Sequence, residues 1–152
     1  MTFPPIEQLL PHRAPMLLLE RVTAHDELSV SCETVVGARQ ALLLNDNGDL
    51  PGWCGIELMA QTIAAWAGLQ AHSHHEPVRI GMLLGTRKYQ SELPVFAAGS
   101  RLRIEAHCLL QDGGMASFEC SIWLGDRECA RARLSTYQPT EAQLTDLLEQ
   151  KQ

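Results

Sequence analysis

The sequence has no dense run of basic residues and carries an excess of acidic ones. The chain has 12 Lys and Arg residues against 18 Asp and Glu residues, which gives a formal net charge of −6. A protein that binds nucleic acid normally presents a strongly basic face to the phosphate backbone. The sequence therefore predicts that this chain does not bind nucleic acid.

The sequence also lacks a long apolar run, a signal-peptide pattern and a Cys-x-x-Cys motif. No apolar stretch is long and uncharged enough to cross a bilayer. The first residues, MTFPPIEQLL, lack a basic start followed by an apolar segment. The 5 cysteines are odd in number and scattered, which suits a reducing compartment better than a disulfide framework. We therefore expect a cytoplasmic protein without a membrane span.

No internal repeat, low-complexity tract or linker divides the chain, and its length of 152 residues suits one domain. Hydrophobic residues make up 45% of the sequence, enough to bury a core without disulfide bonds. The Gly-x-Ser-x-Gly motif of lipase-type hydrolases and the glycine-rich phosphate-binding loops are absent. Residues 1–152 are therefore predicted to form a single domain that uses neither of these chemistries.

Alternating hydrophobic and polar residues predict several strands. In residues 28–36 one face is formed by Leu28, Val30, Cys32, Thr34 and Val36. In residues 101–110 one face is formed by Leu102, Ile104, Ala106, Cys108 and Leu110. Further extended segments are predicted at residues 16–22, 80–91, 116–124 and 129–137. Turn residues join most of these segments as hairpins, and hairpins form an antiparallel sheet.

One long helix is predicted at residues 53–71, after the loop signal Asn-Asp-Asn-Gly-Asp at residues 45–49. The helix is apolar on nearly all sides, so other parts of the protein must enclose it. Shorter helices are predicted at residues 5–10 and 140–149. A sheet of five or six strands curled around one central helix satisfies these demands, which is the hotdog fold of the α+β class. Its open sheet edge favours pairing with a second subunit.

A single carboxylate, Glu57, stands in the first turns of this apolar helix. A helical wheel places Glu57, Gln61 and Gly68 on one narrow stripe. Burial of a carboxylate favours its neutral form, whereas the positive end of the helix dipole favours the charged form, and the sequence does not rank the two. A carboxyl group held between these influences is suited to general acid catalysis. The alternative is that Glu57 only complements the helix dipole.

Three segments of the chain carry a likeness to a known family. They are residues 10–22 (LPHRAPMLLLERV), residues 50–61 (LPGWCGIELMAQ) and residues 87–100 (RKYQSELPVFAAGS). In this order they resemble the β-hydroxyacyl-acyl-carrier-protein dehydratases of fatty-acid synthesis. The chain is similar in particular to the divergent branch of predicted 3-hydroxyacyl-carrier-protein dehydratases associated with aryl polyene and related pigment pathways.

This resemblance implies roles for several residues. Glu57 matches the acid that protonates the departing β-hydroxyl group. The amides of residues 51–55 match the helix start that polarises the thioester carbonyl, where small residues allow close backbone approach. Tyr89 and the apolar helix face would line an acyl tunnel, and neither a metal nor a redox cofactor is implied. The implied substrate-binding residues are Pro51, Gly52, Trp53, Cys54, Gly55, Gln61 and Tyr89.

The sequence departs from the family at the catalytic histidine. The family carries this residue in a Gly-His-Phe-Pro-Gly loop shortly before the acidic helix, where it removes the α-proton. Here residues 42–49 read LLLNDNGD, and none of the 6 histidines aligns with that position. The family's histidine and acid come from different subunits of a dimer. The chain therefore either gives Glu57 to a heterodimer partner that supplies the base, or uses Asp46, Asp49 or His12 as the base in a homodimer.

The predicted function is elimination of water from 3-hydroxyacyl thioesters of acyl carrier protein, which gives trans-2-enoyl products. One alternative is a non-catalytic hotdog subunit that stabilises an active partner. Another is a hotdog thioesterase, because a helix-borne carboxylate that faces a polarised thioester can also direct water to the carbonyl. Arg87 and Lys88 are candidates to contact the acidic carrier protein or the phosphate of its pantetheine arm. The alternative for both is an ordinary charged strand end.

Two further features favour structural interpretations. His72, His74 and His75 cluster after the helix, but no fourth ligand stands at a typical spacing, so a solvated position is favoured over a metal site. Cys54 stands at the helix start, where the dipole could lower the pKa of its thiol. No histidine is placed by the sequence to activate Cys54, so a small buried residue is favoured over a nucleophile.

Overall fold

The computed structural model describes residues 2–76, 82–139 and 141–149. Its regular elements in chain order are β1 (Arg21–His25), β2 (Ser29–Val35), β3 (Leu50–Pro51), α1 (Gly55–Ser73), β4 (Met82–Ser91), β5 (Val95–Phe96), β6 (Arg101–Asp112), β7 (Met115–Leu124), β8 (Arg127–Tyr137) and α2 (Glu141–Glu149). Short 3-10 helices lie at Ile6–Gln8, Ala38–Gln40 and Gly52–Cys54.

The main sheet is antiparallel and has the strand order β1-β2-β6-β7-β8-β4. Strands β3 and β5 pair separately. Helix α1 packs against β2, β4, β6, β7 and β8, and apolar side chains from the helix and the sheet form one core. The predicted antiparallel sheet around one long helix is therefore confirmed. No helix within the described residues is long and apolar enough to cross a membrane.

Helix α1 begins and ends two residues later than the predicted bounds of 53–71. The reason at its start is that Gly52–Cys54 form a 3-10 helix, a tighter winding that commonly precedes an α-helix. The N–H of Gly52 donates to the Pro94 carbonyl at 2.8 Å. This bond holds the residues that precede the helix against Pro94, which comes directly before β5.

The predicted extended segment at residues 16–22 is a strand only at its end, where β1 begins. Leu18 and its two neighbours are buried, but the Leu18 backbone is bonded by side chains and not by an adjacent strand. Its N–H donates to Gln61 Oε1 at 2.9 Å. Its carbonyl accepts from Thr34 Oγ1 at 2.8 Å and from Gln40 Nε2 at 2.9 Å.

The predicted inward faces of β2 and β6 are correct except at one residue each. Leu28 is 47% exposed, because it lies in a turn before β2 where Asp26 Oδ1 accepts the N–H groups of Leu28 and Ser29. Leu110 is 64% exposed, because the register of β6 against β7 shifts between Cys108 and Leu110. The remaining predicted residues of both faces are buried.

The other predicted elements are present with small changes of bounds. The predicted helix at residues 5–10 is a 3-10 helix of three residues. The β6–β7 and β7–β8 hairpins form as predicted, with positive φ at Gly113, Gly114 and Gly125. The described chain has eight strands instead of five or six, since β3 and β5 have two residues each. Residues 80, 81 and 140 of the predicted elements lie outside the described residues.

Gly68 provides a test of how closely the N-terminal segment packs on α1. A Cβ at this position would overlap the backbone carbonyl of Leu9, and backbone cannot move aside as a flexible side chain can. We expect Gly68→Ala to lower the free energy of unfolding by about 2 kcal/mol or more, measured by urea denaturation.

Gly85→Ala is the matched control, because an added Cβ there meets nothing within 4 Å. We expect this variant to unfold at a urea concentration close to that of the unsubstituted protein. Equal stability of the Gly68→Ala and Gly85→Ala variants would contradict the described contact between Gly68 and Leu9.

Candidate active site

Glu57 lies in the first turn of α1 and faces His12, which belongs to the segment before β1. His12 Nε2 is 3.8 Å from Glu57 Oε1, and the two side chains are 30% and 39% exposed. His12 Nδ1 is buried and has no hydrogen-bond partner among the described residues. The fold therefore brings together two of the three residues predicted to be catalytic.

The side chain of Gln61 links Glu57 to the chain segment that follows His12. Gln61 is fully buried, and its Nε2 donates to Glu57 Oε1 at 3.1 Å and to the Met16 carbonyl at 2.7 Å. Its Oε1 accepts the N–H of Leu18 at 2.9 Å. Both polar atoms of the Gln61 side chain are therefore bonded within the protein, and one of these bonds positions Glu57. The substrate-binding role of Gln61 stays a prediction.

An apolar cavity of about 270 Å³ opens beside this pair. His12 and Glu57 both line it, and most of its other helix residues are small or aliphatic. Phe118 of β7 and Leu83 of β4 lie on the sheet side. The helix residues besides Glu57 are Ala60, Ile63, Ala64, Trp66 and Ala67. Such a cavity can accept an alkyl chain whose polar end lies at the carboxyl and imidazole groups.

The acidic residues of the loop before α1 lie elsewhere. Asp46 is exposed on the turn at residues 45–49, and Asp49 Oδ1 accepts the N–H of Ala98 at 2.8 Å. Neither lines the cavity beside Glu57. Of the three candidate bases within the chain, all in the described ranges, His12 alone lines it.

The Tyr89 side chain lies against the residues that precede α1, and it does not line this cavity. Its hydroxyl donates to the carbonyl of Gly52, and burial raises the pKa of this phenol. A Cβ at Gly55 would overlap the Tyr89 hydroxyl, so a larger residue there would displace the Tyr89 side chain. The N–H groups of Gly52 and Gly55 already donate to the carbonyls of Pro94 and Gly52. Because Pro51 has no N–H, the predicted polarisation of the thioester carbonyl is left to the amides of Trp53 and Cys54.

The other residues of this stretch have different surroundings. Cys54 is buried, and burial together with the nearby charge of Glu57 raises the pKa of its thiol to about 11. The net shift of this pKa is upward, opposite to the lowering that the helix dipole could cause, and a neutral thiol at physiological pH is a poor nucleophile. Pro51 belongs to β3 and lies opposite Val95, while the Trp53 side chain is on the surface and 66% exposed.

Arg87 and Lys88 lie on a groove separate from the cavity beside Glu57. The groove has a volume of about 260 Å³ and is also lined by Glu119, Arg131 and Arg133. Arg87 stands directly opposite Arg133 across β4 and β8, so positive charges are concentrated here in a chain of net negative charge. The predicted contact with an anionic partner stays a prediction.

The histidines after α1 are on the surface. His72, His74 and His75 are exposed, and His74 Nδ1 lies 2.8 Å from the Gln70 carbonyl. Within the described ranges, no three His, Cys, Asp or Glu residues form a group that could hold a metal ion. The solvated position favoured from the sequence agrees with this exposure.

Two features of the site were not identified from the sequence. One is Gln40, a fully buried side chain that holds the Leu18 carbonyl, and no pattern in the sequence marks it. The other is the cavity itself, for which a signal exists. Alanines at positions 60, 64 and 67 recur every three or four residues, which marks one helix face that leaves space against the sheet.

Comparison with known proteins identifies the family. The profile of the ApeP-like family, described as ApeP dehydratase, matches residues 4–149. A 3-hydroxyacyl-[acyl-carrier-protein] dehydratase FabZ from Pseudothermotoga lettingae is 29% identical over 129 residues, which are 85% of this chain and 79% of that protein.

Two solved structures are similar to this chain in fold. A chain of the dehydratase heterocomplex ApeI:P from Xenorhabdus doucetiae is 39% identical, with a TM-score of 0.91 over 97% of this chain and 99% of that chain. A hypothetical thioesterase with coenzyme A from Streptococcus pneumoniae is 16% identical, with a TM-score of 0.59 over 78% of this chain and 86% of that chain, and shows the fold alone. The predicted hotdog fold is confirmed, and the chain belongs to the ApeP-like dehydratase family.

Proposed function

We propose that the chain eliminates water from 3-hydroxyacyl thioesters of acyl carrier protein, as one subunit of a hotdog pair. The observation that carries the proposal is the position of Glu57 and His12 on an apolar cavity that suits an acyl chain. Membership of a dehydratase family supports the reaction class. The FabZ relative, which is named for this substrate, supports the carrier-protein thioester.

In the proposed reaction Glu57 is the general acid. A base removes the α-proton, the C2–C3 double bond forms, and the β-hydroxyl group leaves as water with a proton from Glu57. Gln61 holds one carboxyl oxygen of Glu57, which leaves the other oxygen to carry the proton to the substrate. A positioned acid contributes about 100-fold to 10,000-fold to such a step.

A second hotdog subunit is proposed to supply the base. The loop at residues 42–49 has no histidine, and the solved relative is named as part of a heterocomplex. Strand β4 is at one edge of the sheet, carries the exposed residues Leu83 and Leu84, and contributes Leu83 to the cavity. A partner that pairs with this edge would therefore reach the cavity that contains Glu57.

His12 is the second candidate for the base, and its position beside Glu57 favours this role. Its Nε2 lies 3.8 Å from Glu57 Oε1, and its Nδ1 has no partner among the described residues. An imidazole is a common general base in enzymes. With His12 as the base, the chain would be active without a different subunit.

Glu57→Gln tests the assignment of the acid. The amide keeps the size of the side chain but cannot donate a proton as an acid, so we expect kcat to fall by about 100-fold or more. The measurement is enoyl product formed from 3-hydroxyacyl-acyl carrier protein, followed by mass spectrometry, with unfolding monitored by circular dichroism.

Glu92→Gln is the control for this substitution, because Glu92 is an exposed carboxylate outside the cavity. Its kcat should equal that of the unsubstituted protein. Unchanged turnover in the Glu57→Gln variant would refute the proposed acid, and release of free thiol without enoyl product would favour the thioesterase alternative.

The source of the base is tested by measuring dehydratase turnover of the chain alone and of the chain co-expressed with hotdog subunits encoded by neighbouring genes. If a partner supplies the base, we expect turnover only in the co-expressed pair, with His12→Gln changing it by less than about tenfold. Full activity of the lone chain that is lost in the His12→Gln variant would instead assign the base to His12. His107→Gln is the matched control, because His107 is an exposed residue in the middle of β6 and lies outside the cavity.

A further inference from the structure

A second cavity lies next to the one beside Glu57, at the C-terminal end of α1. Its volume is about 350 Å³, against about 270 Å³ for the first. Four residues line both cavities, and they are Trp66, Ala67, Gln111 and Gln138. The two spaces therefore adjoin along the helix, and Trp66 is the largest side chain at their junction.

The indole ring of Trp66 is fixed in place. Its Nε1 donates to the Glu27 carbonyl at 3.3 Å, and its ring meets Phe118 edge to face, with centroids 5.3 Å apart at 73°. Trp66 is 6% exposed. A ring held by a hydrogen bond and an aromatic contact stays between the two cavities.

The two cavities differ in chemistry. Apart from the four shared residues, the first cavity is lined by Glu57, His12 and mostly apolar side chains, among them Ala60, Ile63 and Phe118. The residues that line the second cavity alone are mostly charged or polar, and they are Glu27, Leu28, Gln70, Ala71, His74 and Glu76. Each methylene buried in the first cavity strengthens binding by about fourfold, whereas a methylene among charged and amide groups gains little.

We propose that Trp66 ends the acyl-binding cavity and sets the longest acyl chain that the protein accepts. This inference rests on the proposed function, because it takes the cavity beside Glu57 as the acyl site. A helix rises about 1.5 Å per residue, so the positions of Glu57 and Trp66 are separated by about 14 Å along the helix axis. Longer chains meet the indole ring.

Binding of saturated acyl-pantetheine thioesters of increasing length, measured by calorimetry on the full chain and its complex, tests the proposal. These ligands cannot be dehydrated. For the unsubstituted protein we expect affinity to rise about fourfold per methylene and then to stop rising at one chain length. Trp66→Leu should move this limit to longer chains, because the smaller side chain joins the two cavities.

Ala71→Phe is the companion variant, because Ala71 lines the second cavity and not the first. Alone it should leave the limit unchanged, and added to Trp66→Leu it should restore the original limit. An unmoved limit in folded Trp66→Leu protein, a shorter limit in Ala71→Phe protein, or no binding of any thioester to the unsubstituted protein would each overturn the proposal.

The role of Trp66 and the dehydratase function can be refuted independently of each other. A limit that moves as expected in a protein without dehydratase turnover would retain Trp66 as the end of an acyl site and refute the reaction. Dehydratase turnover together with a chain-length limit that does not change in the Trp66→Leu variant would retain the reaction and refute the role of Trp66. Should Trp66→Leu not fold, the Ala71→Phe variant alone still gives a decisive result, since any shortening of the limit contradicts a closed junction.

Discussion

The buried amide of Gln61 is the interaction on which the arrangement of the candidate site depends. Its three hydrogen bonds join α1 to Met16 and Leu18 and hold one oxygen of Glu57. A buried amide left without partners costs about 1–3 kcal/mol, so the helix and the segment at residues 16–18 are held in one relative position. His12 lies four residues before this segment, and its distance to Glu57 follows from the same anchor.

The cavity depends on an opposite property, the absence of large side chains. Alanines on one face of α1 leave space that the sheet does not fill, and the wall opposite includes Leu83, Ala116 and Phe118. Glu57 and His12 both remain partly exposed at its mouth. A site open on one side, next to the edge strand β4, is the geometry that a second subunit would complete.

Much of the fold could be predicted from the sequence, because periodicity reports which face of an element is buried. The alternation in β2 and β6, the turn residues between the strands and the apolar helix together predicted an antiparallel sheet around α1. The failures are local: a bulge exposes Leu110, and side chains replace strand partners at Leu18. Neither a register shift nor a buried Gln40 leaves a periodic signal, since both are set by contacts between distant segments.

The candidate site was predictable only in part. Glu57 and Gln61 share a helix stripe, so their proximity followed from spacing alone. The approach of His12 to Glu57 depends on how a loop folds over the helix, which periodicity does not describe. Likewise, the separation of Tyr89 and the Arg87 groove from the cavity depends on the path of β4 along the sheet edge.

A structure of the Glu57→Gln protein, with any partner subunit, bound to a 3-hydroxyacyl-pantetheine thioester would test the proposed site. We expect the C3 hydroxyl to lie within about 3 Å of the side chain at position 57, and the acyl chain to lie along the alanine face of α1. A hydroxyl group bound away from position 57, or an acyl chain outside this cavity, would contradict the proposed site.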